Sequence, residues 1–193
     1  QQATLVQLER NFAMPVAPPD GALSDKVGSG DVARGGVRVA LQPRLSGSLD
    51  GVRRYFEEYP FICLEQKTSR SIGLRDRALW QTVASAVPHY LDEDGLAAYF
   101  PGGRGSDTLT AYVLAVTHEA GAGFALPDNA RERMEAGLIA FVEGRIQRNF
   151  WAPTKDLDQR KIAAIEALAR TAKATRKLLE SITLQPDGWP THT

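Results

Sequence analysis

Cys63 and Gln66 are the two side chains of this sequence that could form a reactive bond with each other. They lie three residues apart in Cys63-Leu64-Glu65-Gln66, and residues at that spacing share one face of a helix or tight turn. Attack of a Cys63 thiolate on the Gln66 carboxamide, with loss of ammonia, would give an internal thioester that stores an acyl group for an external amine or hydroxyl. Pro60 indicates that a helix begins close to Cys63, where unpaired amides and the helix dipole favour a thiolate.

A thioester survives only where water is excluded, so it needs apolar neighbours. Tyr59 and Phe61 flank the segment, and Trp80 and Tyr90 follow it, so their rings could shield the bond. The same rings could instead belong to the hydrophobic core, as most aromatic side chains near helices do. Cys63 is the single cysteine, which excludes an intramolecular disulfide.

Three other interpretations of Cys63 stay open on these grounds. A lone cysteine is commonly a small buried hydrophobe. A cysteine hydrolase with Cys63 as nucleophile and His118 as base would also need an orienting Asn or Asp and an oxyanion hole, which the sequence does not single out. The chain could also be a helical interaction module in which the Cys-Leu-Glu-Gln order is accidental. Intact mass separates these, because only a thioester lacks one ammonia relative to the encoded chain.

Other polar groups give weaker signals. The three histidines, His89, His118 and His192, have no metal-ligand spacing, and we predict neither a metal nor a cofactor. The acidic run Asp92–Asp94 lies in a Gly-bearing loop and is more typical of a solvated turn than of a catalytic acid pair. The Gly102–Gly105 segment lacks the Lys-Ser/Thr ending of a phosphate-binding loop.

Composition limits the possible partners. The chain has 193 residues, with 23 Lys plus Arg against 23 Asp plus Glu, so its formal net charge is zero. A nucleic-acid partner is therefore disfavoured. The sequence also lacks an apolar run of the roughly 18 residues or more that a membrane span requires.

The elements that must position Cys63 are predicted to be helices. Residues 1–36 are rich in Pro and Gly clusters typical of a linker, and the alternating pattern of Val37–Leu45 predicts a strand. Helical patterns follow, with tight helix packing favoured by alanine-rich faces. The first helix is expected from Asp50 to Glu58, and the second runs through Cys63, with a break near Gly73 and an end at Pro88. A third is expected from Ser106-Asp107 to Gly121. Two more are expected to begin at Pro127-Asp128 and at Asp156 or Asp158.

The segment around Cys63 resembles the thioester segment of the alpha-2-macroglobulin and complement superfamily, especially its bacterial members. In those members a Tyr-Pro-aromatic lead precedes Cys-Leu-Glu-Gln, and here it reads Tyr59-Pro60-Phe61-Ile62-Cys63-Leu64-Glu65-Gln66. Three further segments are similar to parts of the family's thioester domain: Thr108–Val113, Lys161–Arg170 and Ser181–Thr191. The resemblance covers Gly35 to Thr193, and the tetrapeptide is its most specific part.

The resemblance implies a mainly α fold: part of an α/α toroid of alternating inner and outer helices, preceded by a short β segment. Residues 1–47 would be a linker and a β segment from an adjoining complement-like β domain. Residues 48–193 would be the N-terminal portion of the thioester domain. The family's full ring is larger than the part after Cys63, so we expect this portion to be incomplete.

The resemblance also implies a function in bacterial defence. Cys63 and Gln66 match the thioester-forming positions, while Tyr59, Pro60, Phe61, Leu64 and Glu65 belong to the motif and its shielding. The parent protein would be a broad-spectrum protease inhibitor of the periplasm or cell envelope, not a turnover enzyme. Its partners would be proteases, captured covalently through lysine amines, and the remaining macroglobulin domains. Complement-type members use a histidine on a later loop, here near Asn149–Asp158, which has none. We therefore expect amine preference.

Overall fold

The structure is a computed structural model that describes residues 50–148 and 157–183. The chain divides into two compact units, 1–54 and 55–193. Only residues 50–54 of the first unit are described, so the predicted domain boundary at 47/48 and the strand Val37–Leu45 lie outside the described residues. The helices of the described part are α1 (Asp50–Glu58), α2 (Leu64–Gly73), α3 (Arg77–Ala86), α4 (Asp107–Ala120), α5 (Asp128–Val142), α6 (Leu157–Ala169) and α7 (Arg176–Leu179).

The helix limits follow from local signals in the sequence. The Asp76 carboxylate accepts the Leu79 N–H at 2.9 Å and begins α3, and the Ser106 hydroxyl accepts the Leu109 N–H at 3.3 Å and begins α4. Helix α4 ends at Gly121, whose φ of 85° is a left-handed conformation that glycine adopts without steric cost. A short 3-10 turn, Val87–Tyr90, follows α3 and contains Pro88.

Helix α4 lies at the centre of the described core. It contacts α2, α5 and α6, and its buried face carries Leu109, Val113 and Leu114. Helix α5 contributes Met134, Leu138, Phe141 and Val142 to the same cluster, and α6 contributes Ala164, Ile165 and Leu168. Of the alanines of α6, Ala164 and Ala167 are almost fully buried, whereas Ala163 and Ala169 are exposed, so only part of this small-residue set faces the core.

The prediction of a mainly helical fold is confirmed. Within residues 50–148 and 157–183 the β structure consists of an isolated bridge between Leu91 and Ala97, which closes the base of a loop. None of the described helices combines the length and the apolar character needed to cross a bilayer.

Candidate functional site

Cys63 is the residue that immediately precedes helix α2. Its backbone is extended, with φ −69° and ψ 165°, as is typical of the residue that caps the start of a helix. The Cys63 side chain is buried, with 7% of its surface exposed. The predicted helix start near Cys63 is therefore confirmed, with the cysteine at the capping position instead of inside the helix.

The Gln66 side chain folds back over Cys63. Its carbonyl oxygen Oε1 lies 3.4 Å from the backbone nitrogen of Cys63, a long and weak hydrogen bond that still fixes the direction of the carboxamide. The Cys63 carbonyl in turn accepts the Lys67 N–H at 3.0 Å, which closes the first turn of α2. The two predicted thioester-forming residues thus lie together at one helix end, where the carboxamide faces the cysteine backbone.

Leu64 and Glu65 separate the reactive pair and have different surroundings. Leu64 is fully buried and belongs to the hydrophobic core, so it anchors the segment to the rest of the helical unit. Its N–H donates to the Tyr99 carbonyl at 2.9 Å, which satisfies one of the amides that a helix start leaves free. Glu65 is half-buried in the first turn of α2, where a carboxylate interacts favourably with the helix dipole.

A chain of aromatic rings lies on the segment that precedes Cys63. The Tyr59 ring centre lies 4.9 Å from that of Tyr55 and 5.2 Å from that of Phe61. A hydrogen bond with Tyr55 is the main cause that raises the pKa of Tyr59, and the negative charge of Glu65 raises it further. Phe61 is 58% exposed and Ile62 is 66% exposed. Phe61 and Ile62 directly precede Cys63 in the sequence, and their exposed apolar surface is available to a covering partner.

Tyr99 is a neighbour of the site that the sequence did not single out. It is half-buried, and burial raises the pKa of its phenol, with an added contribution from the negative charge of Glu65. Tyr99 lies 35 positions beyond Leu64, and its contact with the site is a backbone carbonyl, which any residue type can supply. The residue type at position 99 therefore could not indicate this contact from the sequence.

Trp80 and Tyr90 have other roles than the predicted shield. Trp80 is buried in the core, 6.4 Å from Phe124 between ring centres, and its indole N–H donates to the Ala125 carbonyl at 3.1 Å. Tyr90 is also buried, and its hydroxyl accepts from Lys67 Nζ at 3.0 Å. Tyr90 is thus linked to the helix that follows Cys63, whereas Trp80 is a packing residue.

The geometry separates Cys63 from His118. Helices α2 and α4 both begin beside residues 97–99. The Ala97 carbonyl accepts the Ser106 N–H at 2.8 Å, just before α4, and the Tyr99 carbonyl accepts the N–H of Leu64, the first residue of α2. Farther along, Ser69 Oγ lies 2.6 Å from Tyr112 Oη, so the two helices run side by side in the same direction. At 1.5 Å per residue, His118 lies roughly 15–20 Å along this direction from Cys63. His118 is exposed near the far end of α4, too distant to act as the base of a Cys63 hydrolase.

The remaining polar candidates are structural. The Asp92–Asp94 run is a turn that is solvated only in part: Asp92 Oδ2 and Asp94 Oδ2 lie 2.8 and 2.6 Å from Nη2 of the buried Arg148, the Asp92 side chain is 11% exposed, and that of Asp94 is 37% exposed. Gly102–Gly105 forms a loop, as predicted. His89 is exposed, and His192 lies outside the described residues. Across 50–148 and 157–183, no three His, Cys, Asp or Glu side chains are grouped as metal ligands would be.

Comparison with known proteins gives one informative likeness. No protein-family model matches the chain, and no curated protein matches it. The fold is similar to the crystal structure of native alpha-2-macroglobulin from Escherichia coli spanning domain MG7 to the C-terminus, with a TM-score of 0.57 and 21% identity. The match covers 69% of this chain and 25% of that chain. The chain thus has a mainly helical fold like that of part of a bacterial alpha-2-macroglobulin, in agreement with the predicted α/α toroid.

Proposed function

We propose that this chain is the thioester-bearing part of a protease trap and that Cys63 and Gln66 form the thioester. One observation carries the proposal: Gln66 Oε1 lies 3.4 Å from the Cys63 backbone nitrogen while the Cys63 side chain is buried. A thioester requires a carboxamide within reach of the cysteine and protection from water; the contact brings the Gln66 carboxamide to the residue that carries the sulfur, and burial of Cys63 limits access of water. The fold likeness to part of a bacterial alpha-2-macroglobulin supports the protease-trap part of this proposal.

Thioester formation is an internal acyl transfer. Sγ of Cys63 attacks Cδ of Gln66, the new S–C bond forms as the C–N bond breaks, and the thiol proton leaves with the nitrogen as ammonia. The carbonyl oxygen carries the developing negative charge, and the Cys63 N–H already points at that oxygen. A fixed donor of this kind stabilises a tetrahedral intermediate.

Capture reverses the chemistry with a different nucleophile. A lysine amine of the attacking protease adds to the Gln66 acyl carbon, an amide forms, and Cys63 is released as a free thiol. Each molecule acts once, so the chain is a single-use acylating agent without turnover. We place the parent protein in the periplasm or cell envelope, on the basis of the family resemblance.

We propose that the acyl group prefers amines to hydroxyl compounds. The expected position of a complement-type histidine, Asn149–Asp158, contains no histidine in its sequence, and residues 149–156 of it lie outside the described part. The described His118 is at the far end of α4. Labelling with methylamine and with glycerol at matched concentrations tests the preference, and faster labelling by glycerol would contradict it.

The decisive experiment on the thioester is intact mass spectrometry of the chain prepared without added amines. We expect a mass one ammonia below that of the encoded chain, with no titratable thiol until methylamine is added. The matched control is Cys63→Ser, which retains the side-chain shape and should show the full encoded mass. A wild-type chain with the full mass and an immediately titratable thiol would refute the thioester.

The trap function is tested separately with an active protease. We expect a covalent adduct that survives denaturing electrophoresis and contains both chains, with loss of the adduct in Cys63→Ser and after methylamine treatment. An adduct of equal yield in Cys63→Ser would show that capture does not use the thioester.

A further inference from the structure

A loop that follows the 3-10 turn contacts the reactive segment from outside its own helix. This 92–105 loop is organised by Asp92, whose carboxylate accepts four hydrogen bonds. Oδ1 accepts the N–H groups of Asp94 at 3.1 Å and Leu96 at 3.0 Å. Oδ2 accepts the N–H of Gly105 at 2.8 Å and Arg148 Nη2 at 2.8 Å. One carboxylate therefore ties both ends of the loop together.

Arg148, which follows helix α5, fixes the same loop. Its guanidinium is buried and donates to the Gly105 carbonyl at 2.9 Å and to the Asp94 carboxylate at 2.6 Å, besides Asp92. The pKa of Arg148 is raised by its bonds to Asp94 and Asp92 despite the opposing effect of burial, so it stays charged. The Arg148 carbonyl in turn accepts from Arg160, which pairs with Asp107 at the start of α4.

Close backbone packing leaves the 92–105 loop little freedom to shift. A Cβ at Gly95 would lie 2.4 Å from the Arg133 carbonyl oxygen, and one at Gly137 of α5 would lie 2.6 Å from the Asp94 carbonyl oxygen. Arg133 also donates to the Asp92 carbonyl at 2.8 Å. The loop is thus seated directly on the backbone of α5.

The 92–105 loop contacts the Cys63–Gln66 segment through Tyr99. The Tyr99 carbonyl accepts the N–H of Leu64, one of the two residues between Cys63 and Gln66. Ala98 donates to the Tyr90 carbonyl at 2.8 Å, and the Tyr90 hydroxyl accepts from Lys67, the residue after Gln66. The first turn of α2 is therefore held at two points, one within the tetrapeptide and one directly after it.

We propose that Asp92 and Arg148 are positioning residues for the thioester: their buried ion pair fixes the loop whose Tyr99 carbonyl orients the first turn of α2. This inference rests on the proposed function for its chemical consequence. Acyl transfer between Cys63 and Gln66 needs the sulfur and the acyl carbon in near-attack geometry, and a misplacement of about 1 Å can cost roughly 100-fold in rate. Neither positioning residue contacts the reacting atoms; each acts through the loop.

The test compares Asp92→Asn with Glu135→Gln. Both changes replace a buried or nearly buried carboxylate that pairs with arginine by its amide isostere. Glu135 pairs with Arg131 at 3.2 Å on α5 and is not part of the loop network. The full chain is used for each variant, with three readouts: folded fraction by denaturant titration, thioester occupancy by intact mass, and hydrogen exchange of the Leu64 amide by NMR.

We expect Asp92→Asn to lower thioester occupancy roughly tenfold among folded molecules and to speed Leu64 amide exchange by a similar factor. Glu135→Gln should leave both unchanged at a comparable stability. Equal occupancy in Asp92→Asn and wild type, or an equal loss in Glu135→Gln, would overturn the proposal.

The exchange readout keeps this inference separate from the proposed function. If the wild-type chain carries no thioester, the proposed function fails by itself. In that case, faster Leu64 exchange in Asp92→Asn alone still supports positioning of the segment by the loop, and unchanged exchange overturns it.

Discussion

Arg160 offers a sharp test of the described architecture, because it joins α6 to the start of α4 through a buried ion pair. Its guanidinium donates to the two Asp107 carboxylate oxygens at 2.9 and 2.6 Å, and the exposed fractions of the two side chains are 4% and 3%. It also donates to the Arg148 carbonyl and lies 5.2 Å from the centre of the Phe141 ring. Arg160→Met retains much of the aliphatic length and removes the charge and all three polar contacts.

The expected loss of unfolding free energy in Arg160→Met follows from the unpaired Asp107 carboxylate that remains buried. Asp107 would remain a buried carboxylate without its bidentate partner, and breaking a buried pair from one side typically destabilises by about 3–5 kcal/mol. A domain of this kind has roughly 5–15 kcal/mol of unfolding free energy, so Arg160→Met should lose a large share of it. Replacing both partners with apolar residues removes the orphaned charge. The double variant Asp107→Leu/Arg160→Met should therefore recover about 2 kcal/mol or more relative to the single variant.

Urea denaturation of the wild type, Arg160→Met, Asp107→Leu and the double variant, followed by circular dichroism, measures this cycle. The unfolding slope should be the same in all four chains, so that midpoint shifts report stability. A loss below about 1 kcal/mol for Arg160→Met, with additive effects in the double variant, would refute the buried pair.

Three further predictions test other parts of the molecule. Ala172 has a φ of 57°, so Ala172→Gly should raise the unfolding free energy by about 0.5–1 kcal/mol; a lower urea midpoint would contradict the left-handed turn. Leu64→Ala should cost about 2–5 kcal/mol, while Ile62→Ala at an exposed position stays within about 0.5 kcal/mol in the same assay; equal effects would contradict the placement of Leu64 in the core. Tyr99 should ionise above 10.0, since burial and Glu65 raise the pKa of its phenol, so the stability it contributes is complete below pH 10.0 and lost as pH rises through the folded value. Glu65→Gln should lower the pKa of Tyr99 in an absorbance titration with Tyr99→Phe as the blank. An unchanged titration curve would contradict an electrostatic interaction between Glu65 and Tyr99.

Local signals were sufficient where neighbouring residues decide the structure. Pro60 ends one helix and sets the start of the next, Ser106 supplies its own cap, and Gly121 accommodates a left-handed turn. The juxtaposition of Cys63 and Gln66 is also local, because three residues in one helical turn bring both to one end. Helix limits and the reactive pair could therefore be predicted from the sequence.

Contacts between distant segments could not be predicted in this way. Leu64 and Tyr99 meet through backbone atoms, which carry no residue-specific pattern. Asp92 and Arg148 are 56 residues apart, and an acidic run in a Gly-bearing loop has the same local appearance whether it is solvated or buried. Only packing of the loop on α5 removes water from Asp92 and makes its pairing with Arg148 necessary.

The sequence by itself thus determined which two side chains are candidates for a thioester and that helices hold them. Tertiary structure decided that Trp80 packs in the core, with its ring centre 6.4 Å from that of Phe124. It also placed His118 at the opposite end of α4, out of reach of Cys63. The physical reason is that spacing along a helix is fixed by backbone geometry, whereas neighbours across the fold depend on how buried faces and buried charges of separate helices find partners.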